Sequence, residues 1–271
     1  MRFFCVLLLS CTFSFSPIYA NGTLELYFSN DSVNGIKVSD AYETHNMGFL
    51  YSNGNAFYGL DLGIVSPDMH VYKNQYRVAN RSFGEVVTFT AGRNFDFRDA
   101  MEAFYYIKVK SAGSYGIDRM QDFMHRLLTL QPVNAVNDLV RMPDQTWVGI
   151  GGAVEKEFIQ NRNQLLDFWG IEGYLGSDKL EIVLSGNKVR DIGKLQASLE
   201  SGMKMIFFDE IVSAPPISAD HRNLIPYVQV GLAYKSNGIK WFVADTFSLP
   251  TIKNDNSIFG VLSAGVTIPL D

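Results

Sequence analysis

Asn30, Asp31, Thr44, Lys73 and His125 are side chains of the kinds that hydrolyse esters, spread over the first half of the sequence. An imidazole takes a proton from water near neutral pH, and a carboxylate can orient that water or share the task. Carboxylate and carbonyl oxygens suit a hard cation such as Ca²⁺, and a cation can polarise an ester carbonyl. Nothing in their local spacing joins them. Taken alone, His125-Arg126 reads as a solvent-facing pair beside an apolar helical stripe. No Gly-rich phosphate loop, GxSxG elbow or HExxH occurs, which excludes those routes to catalysis. The set becomes a site only if the fold gathers it.

The elements available for that are strands. From Thr23 onward the dominant period is two: Ile239, Trp241, Val243 and Phe247 share one face, interrupted by Asp245, and Leu180, Ile182 and Leu184 alternate with Glu181, Val183 and Ser185. Twelve such segments are expected near 22–31, 43–53, 55–66, 84–93, 100–110, 145–157, 163–175, 178–187, 195–208, 223–236, 238–249 and 257–270. Ser52-Asn53-Gly54, Gly176-Ser177-Asp178 and Ser236-Asn237-Gly238 mark tight turns between neighbours. One stretch breaks the rhythm. Ile117, Met120, Met124, Leu127 and Leu128 recur at helical spacing, so a helix is expected over 117–131, ended by Pro132.

Composition narrows the class. The net charge of −5 gives no electrostatic reason to expect nucleic acid as a partner. Aromatic residues make up 13 %, which excludes disorder, and no run approaches the roughly 18 apolar residues of a spanning helix. Residues 1–20 read as a cleaved secretory signal peptide: Arg2, an apolar Phe3–Phe15, then Ser16-Pro17-Ile18-Tyr19-Ala20. Lipoprotein processing at Cys11 is the alternative. Cleavage after Ala20 leaves 21–271 as one domain without cysteine. Strands of about ten residues, even in number and aromatic-rich, fit an all-β, twelve-stranded antiparallel transmembrane barrel with one short extracellular-loop helix. A secreted β-sandwich is the competing fold.

A barrel with its N-terminus in the periplasm supplies the missing convergence. The first strand then delivers Asn30-Asp31 to the extracellular rim, and the second starts there with Thr44-His45. The third ends there, leading to Ser66-Pro67-Asp68 and Lys73. The fifth also runs outward, so the helix with His125 belongs to the same end.

In that order the motifs resemble the outer-membrane lipid A 3′-O-deacylases of the LpxR type. The resemblance covers about residues 24–131 and rests on Phe28-Ser29-Asn30-Asp31, on Tyr42-Glu43-Thr44 leading into Gly48-Phe49-Leu50-Tyr51-Ser52, and on Ile64-Val65-Ser66-Pro67. It continues with Asn80-Arg81-Ser82-Phe83-Gly84 and His125-Arg126-Leu127-Leu128. What it implies is a monomeric barrel in the bacterial outer membrane, with its site between the wall and an extracellular-loop helix. It further implies Ca²⁺-dependent hydrolysis of an acyl ester on lipid A of lipopolysaccharide. On that basis His125 would activate water with help from Asp31, and the cation would serve as oxyanion hole. Asn30 and Thr44 would hold metal, water or ester, while Lys73 and Arg81 would meet the substrate.

The sequence departs from the family at Ser32, where an acid is expected, and at Gln131, where a Glu is expected six residues after the histidine. These departures leave open a non-catalytic binding or structural barrel of the same family. A phospholipase A-like hydrolase is a third reading, and a diffusion pore a fourth. His45, His70 and His221 read as ordinary rim or loop side chains.

Overall fold

A computed structural model describes residues 22–30, 45–65, 84–98, 101–117, 119, 142–158, 167–211, 220–249 and 259–270. They form twelve strands: β1 (Gly22–Asn30), β2 (His45–Ser52), β3 (Ala56–Val65), β4 (Gly84–Arg98), β5 (Met101–Gly113), β6 (Gln145–Glu157), β7 (Phe168–Gly176), β8 (Lys179–Ile192), β9 (Leu195–Asp209), β10 (Leu224–Ser236), β11 (Ile239–Ser248) and β12 (Phe259–Leu270). Each pairs antiparallel with its sequence neighbours, and β1 pairs with β12 from Gly22↔Leu270 to Asn30↔Leu262, so the sheet closes as a barrel. Closure leaves no strand edge unpaired, which is the condition for a sheet to sit in lipid.

The two faces of the wall follow from the alternation in the sequence. Leu60, Phe89, Ile107, Ile150, Leu232 and Val243 point outward with large apolar surface bare, the dress of a wall facing acyl chains. Toward one end aromatic residues gather on that face: Tyr51 stacks on Tyr58 at 6.5 Å, Phe95 meets Tyr105 at 6.2 Å, and Tyr234 is registered with Trp241. The chain turns tightly there, between β2 and β3, β4 and β5, β8 and β9, and β10 and β11. At the Asn237-Gly238 turn both residues have positive φ, 52° and 79°, as a two-residue hairpin with the twist of its strands requires.

Inward, rings lie over glycines of the next strand. A Cβ on Gly151 would come within 2.3 Å of the Tyr106 ring, and one on Gly149 within 2.5 Å of the Tyr174 ring. Only glycine lets these tyrosines lie flat against the wall, stacked on each other at 6.3 Å. Their hydroxyls donate to Glu172 (2.6 Å) and Asp178 (2.7 Å). Tyr27 likewise covers Gly48 and donates to Asp61, and Tyr227 donates to Glu200 at 2.7 Å. Above this polar interior Val86, Ala112, Met142 and Trp147 form a buried apolar layer, packed by Ile211, at the mouth with the longer connections.

Most strand positions match those expected from the pattern. β4 runs on to Arg98, past the expected end near 93, because Asn94, Phe95 and Asp96 continue the ladder onto Phe104, Ala103 and Glu102 of β5. β8 extends to Ile192 in the same manner, and β7 begins at Phe168, five residues later than expected. Polar residues at these ends resemble turn sequence, yet a strand that projects beyond the lipid has no need of apolar alternation. Of the helix expected over 117–131, Ile117 and Arg119 are described and are helical. The signal-peptide region 1–20 lies outside the described residues.

Candidate functional site at the long-loop rim

β1 ends at Asn30, β2 begins at His45, β3 ends at Val65, β4 begins at Gly84 and β5 ends at Gly113, all at the rim opposite the β2–β3, β4–β5, β8–β9 and β10–β11 turns. The register brings these ends to one level. Ser29 pairs with Asn46, so the next positions, Asn30 and His45, come abreast; His45 pairs with Ile64, Ile64 with Glu85, and Glu85 with Gly113. Neighbouring strands lie about 4.8 Å apart. Asp31 follows directly on this row and Thr44 directly precedes it. The connections 66–83, with Lys73 and Arg81, and 114–144, with His125, leave from the same rim.

Of the residues singled out from sequence, Asn30 is placed by its backbone as the last of β1. Asp31, Thr44, Lys73, Arg81 and His125 lie outside the described residues, as do Ser32 and Gln131.

Two residues at this rim escaped the sequence reading. Asn46 has a buried amide oxygen with no hydrogen-bond partner among the described residues. Nothing in the sequence around it signals this. Glu85 does carry a signal: it shares the outer, lipid-facing parity of β4 with Val87 and Phe89, where an acid is out of place. It is nevertheless only 1 % exposed. After β5 the chain folds back over the outside of the wall, where Ile117 packs on Ile64 together with Leu62, Val87 and Tyr115. Glu85 Oε2 accepts the backbone N–H of Tyr115 at 2.5 Å and of Ile117 at 3.2 Å. Gly116 between them has φ +79°, the left-handed turn that lets both N–H groups reach one oxygen. The start of the helical segment is thus clamped to the outer wall in the row that ends at Asn30.

No protein-family model matches the sequence, and no curated protein matches it. Among solved structures the chain is similar to LpxR from Salmonella typhimurium, with a TM-score of 0.72 and 11 % identity over 91 % of this chain and 99 % of that one. The chain has the LpxR fold. The KdgM porin in complex with disordered oligogalacturonate is more distant, at a TM-score of 0.47 and 8 % identity over 92 % of this chain and 99 % of that one. The translocator domain of the autotransporter NalP from Neisseria meningitidis follows at 0.42 and 8 %, over 100 % and 95 % of the two chains. The match to LpxR extends well past residue 131, where motif resemblance in the sequence fades, so the fold persists where side chains have diverged.

The described residues contain no group of three or more His, Cys, Asp or Glu side chains able to hold a metal. A cation at this rim would draw on the Asn30-Asp31 and Thr44 strand ends, whose oxygens are hard donors of the type Ca²⁺ prefers; Asn46 shares the inward parity of Gly48, which Tyr27 covers inside the barrel, and so faces the lumen. A cavity of about 400 Å³, lined by Phe104, Gly152, Val154, Ile171, Gly173 and Ile182, lies nearer the tight-turn end, away from this chemistry.

Proposed function

We propose that the protein is an outer-membrane hydrolase that removes an ester-linked 3′-acyloxyacyl chain from lipid A of lipopolysaccharide. The observation that carries this reading is the rim of an LpxR-like barrel, where the strand ends leading to Asp31 and Thr44 share a row with the outer-wall clamp at Glu85. A site against the outside of the wall meets its substrate in the leaflet, where the acyl chains of a lipid already lie.

In this mechanism His125 takes a proton from water as that water attacks the ester carbonyl, and Asp31 orients the imidazole or the water. Asn30 and Thr44 hold the ester group or the attacking water. These oxygens would hold a hard divalent cation, which would supply positive charge for the developing oxyanion. Lys73 and Arg81 meet phosphate or sugar oxygens of the substrate. The protonated His125 then returns its proton to the leaving alkoxide on the sugar.

The test is expression in an outer membrane, extraction of lipid A with and without chelator, and mass spectrometry of its acylation. Loss of one acyloxyacyl unit, blocked by chelator and by His125→Ala in a folded barrel, is the expected result. Unchanged lipid A from a surface-exposed barrel would leave the non-catalytic reading motivated by Ser32 and Gln131. Release from phosphatidylethanolamine in preference to lipid A would make the protein a phospholipase instead.

A further inference from the structure

The lipid-facing wall has a hollow in it at β6 and β7. The outward positions there run Ile150, Gly152, Val154 on one strand and Leu175, Gly173, Ile171 on the other. Gly152 and Gly173 are paired in register, so two neighbouring strands present bare backbone side by side. A glycine inside a strand destabilises it by roughly 0.5–1 kcal/mol relative to alanine, so it needs a reason. Gly149 and Gly151 have theirs in the tyrosine rings that cover them, and a Cβ on Gly152 would stand 2.9 Å from the Phe104 carbonyl oxygen. Gly173 has no such reason. A Cβ there would meet nothing within 4 Å, and its φ is not in the left-handed region. What the missing side chain provides is space.

That space is the cavity of about 400 Å³, walled by Phe95, Val154, Ile171 and Ile182. It opens toward hydrocarbon, because its walls share the outward parity of the exposed Tyr105, Ile150 and Leu175. Apolar walls keep water out, and an empty hollow forfeits the dispersion contacts of its lining. In a membrane the groups at hand to fill it are acyl chains. Charges at one end narrow the choice further. Lys156 follows Val154 on the outward face of β6 and is registered with Met101; Arg93, on the outward face of β4, is registered with Ala56. Met101 and Ala56 are the first residues after two of the tight turns. Neither cation has an ion-pair partner among the described residues. Trp169, paired with Lys156, adds an aromatic of the kind that sits at headgroup level. A second protein chain seated on the hollow would bury these cations unpaired, which is costly. A lipid phosphate brings the counter-charge with it.

We propose that this hollow binds one glycerophospholipid of the leaflet at the tight-turn end. An acyl chain lies over Gly152 and Gly173, and the phosphate meets Lys156 and Arg93. The site lies toward the end of the barrel opposite the Asn30 rim and does not rest on the hydrolase reading.

The probe is dioleoyl phosphatidylglycerol added to the full-length barrel in detergent micelles, with bound lipid counted by native mass spectrometry. Dioleoylglycerol, which has the same chains and no phosphate, and lipid A are run beside it. Wild type should retain one phosphatidylglycerol. Gly173→Leu, which puts a side chain where the acyl chain lies, should lower the affinity by about 10-fold in a heat-modifiable, closed barrel. Ile182→Trp fills the same hollow from β8 and replaces that variant if it does not close. Lys156→Ala combined with Arg93→Ala should cost about 10-fold for phosphatidylglycerol and leave dioleoylglycerol binding unchanged. No retained lipid in wild type overturns the proposal, as does binding that neither filling variant weakens. A double cation variant that binds phosphatidylglycerol as wild type does, or loses both lipids equally, also overturns it. Lipid A held more tightly than phosphatidylglycerol, and lost on filling, would give the hollow to a different lipid. A dimer of barrels that filling dissociates would make the occupant a second copy, and either result overturns the assignment to a glycerophospholipid.

Discussion

The ammonium of Lys110 on β5 meets the carboxylate of Asp178, in the two-residue turn that joins β7 to β8. Asp178 is fully buried, takes a second hydrogen bond from the Tyr174 hydroxyl at 2.7 Å, and its backbone carbonyl accepts the N–H of Glu210 at 2.6 Å. The Lys110 ammonium also sits 5.0 Å from the centre of the Tyr174 ring. The Asp178 carboxylate thus ties β5 to β7, and its backbone carbonyl adds the end of β9, at the mouth that carries the long connections. Removing one partner of a buried pair leaves the other charge stranded and costs about 3–5 kcal/mol. Asp178→Ala should lower the urea midpoint of the barrel accordingly. Lys110→Met added to Asp178→Ala should recover part of the loss, because no unpaired ammonium remains. A double mutant no more stable than Asp178→Ala would show that the turn, and not the ion pair, is what matters.

Steric fit makes a second prediction about the interior. Gly151 lies beneath Tyr106, and a Cβ there would stand 2.3 Å from ring carbon Cζ. The ring has little room to give way, since it stacks on Tyr174 and its hydroxyl is bonded to Glu172. Gly151→Ala should therefore destabilise the barrel by about 1–3 kcal/mol, the usual range for overpacking. In a Tyr106→Ala background the same substitution should be close to neutral. Equilibrium unfolding of the four proteins gives the coupling directly, and simple additivity would remove the ring as its source.

The barrel was legible in the sequence because its physics is local and repetitive. Lipid on one side and a polar, packed lumen on the other impose period two on every strand, and Asn237-Gly238 declares its turn by the positive φ only such residues take readily. The ends of β4 and β8 were read short because Asn94, Asp96 and Arg190 resemble turn residues once the strand has left the lipid. For the site, sequence order and strand direction were enough to bring Asn30, His45 and the end of the third strand to one rim. What sequence could not give is which side of the wall the connection after β5 covers. That depends on Ile117 meeting Ile64 and on two amides meeting Glu85, contacts between positions 53 and 32 residues apart. An acid on a lipid-facing stripe was the clue at Glu85; Asn46 offered none.

Catalysis by a concerted set makes a third prediction, on the proposed function. His125 and Asp31 are assigned to one proton transfer, so losing either should abolish the same step. Residues acting as a unit show strongly non-additive losses. Asp31→Ala, His125→Ala and the double variant should therefore be similarly inactive in lipid A deacylation while migrating as closed barrels. Lys73→Ala and Arg81→Ala, assigned to the substrate, should mainly raise KM. A double variant slower than the singles by the product of their losses would separate Asp31 from the histidine.

The fourth prediction concerns acid stability at the opposite end of the barrel. Asp167 precedes β7 in the connection from β6, and the Lys188 ammonium at 2.7 Å, with the Val189 N–H at 2.8 Å, holds its carboxyl below the usual carboxylate range. Arg190 adds a weaker attraction from 3.7 Å. A carboxyl whose pKa is depressed by folding stabilises the folded state above the unfolded pKa, and that contribution is lost as pH falls through the folded value. With an unfolded pKa of about 3.9 for Asp, the window opens near pH 4 and extends downward. The groups are near the surface, so the whole effect should be no more than about 1 kcal/mol. Asp167→Asn should accordingly be slightly less stable than wild type at neutral pH, and the two unfolding curves should converge as the pH is lowered below about 4. Lys188→Met should reproduce most of that behaviour, since the ammonium is the first cause of the shift. Curves that stay parallel through this range would mean that Asp167 acts through its backbone bridge to Asn187 and Phe158 and not through its charge.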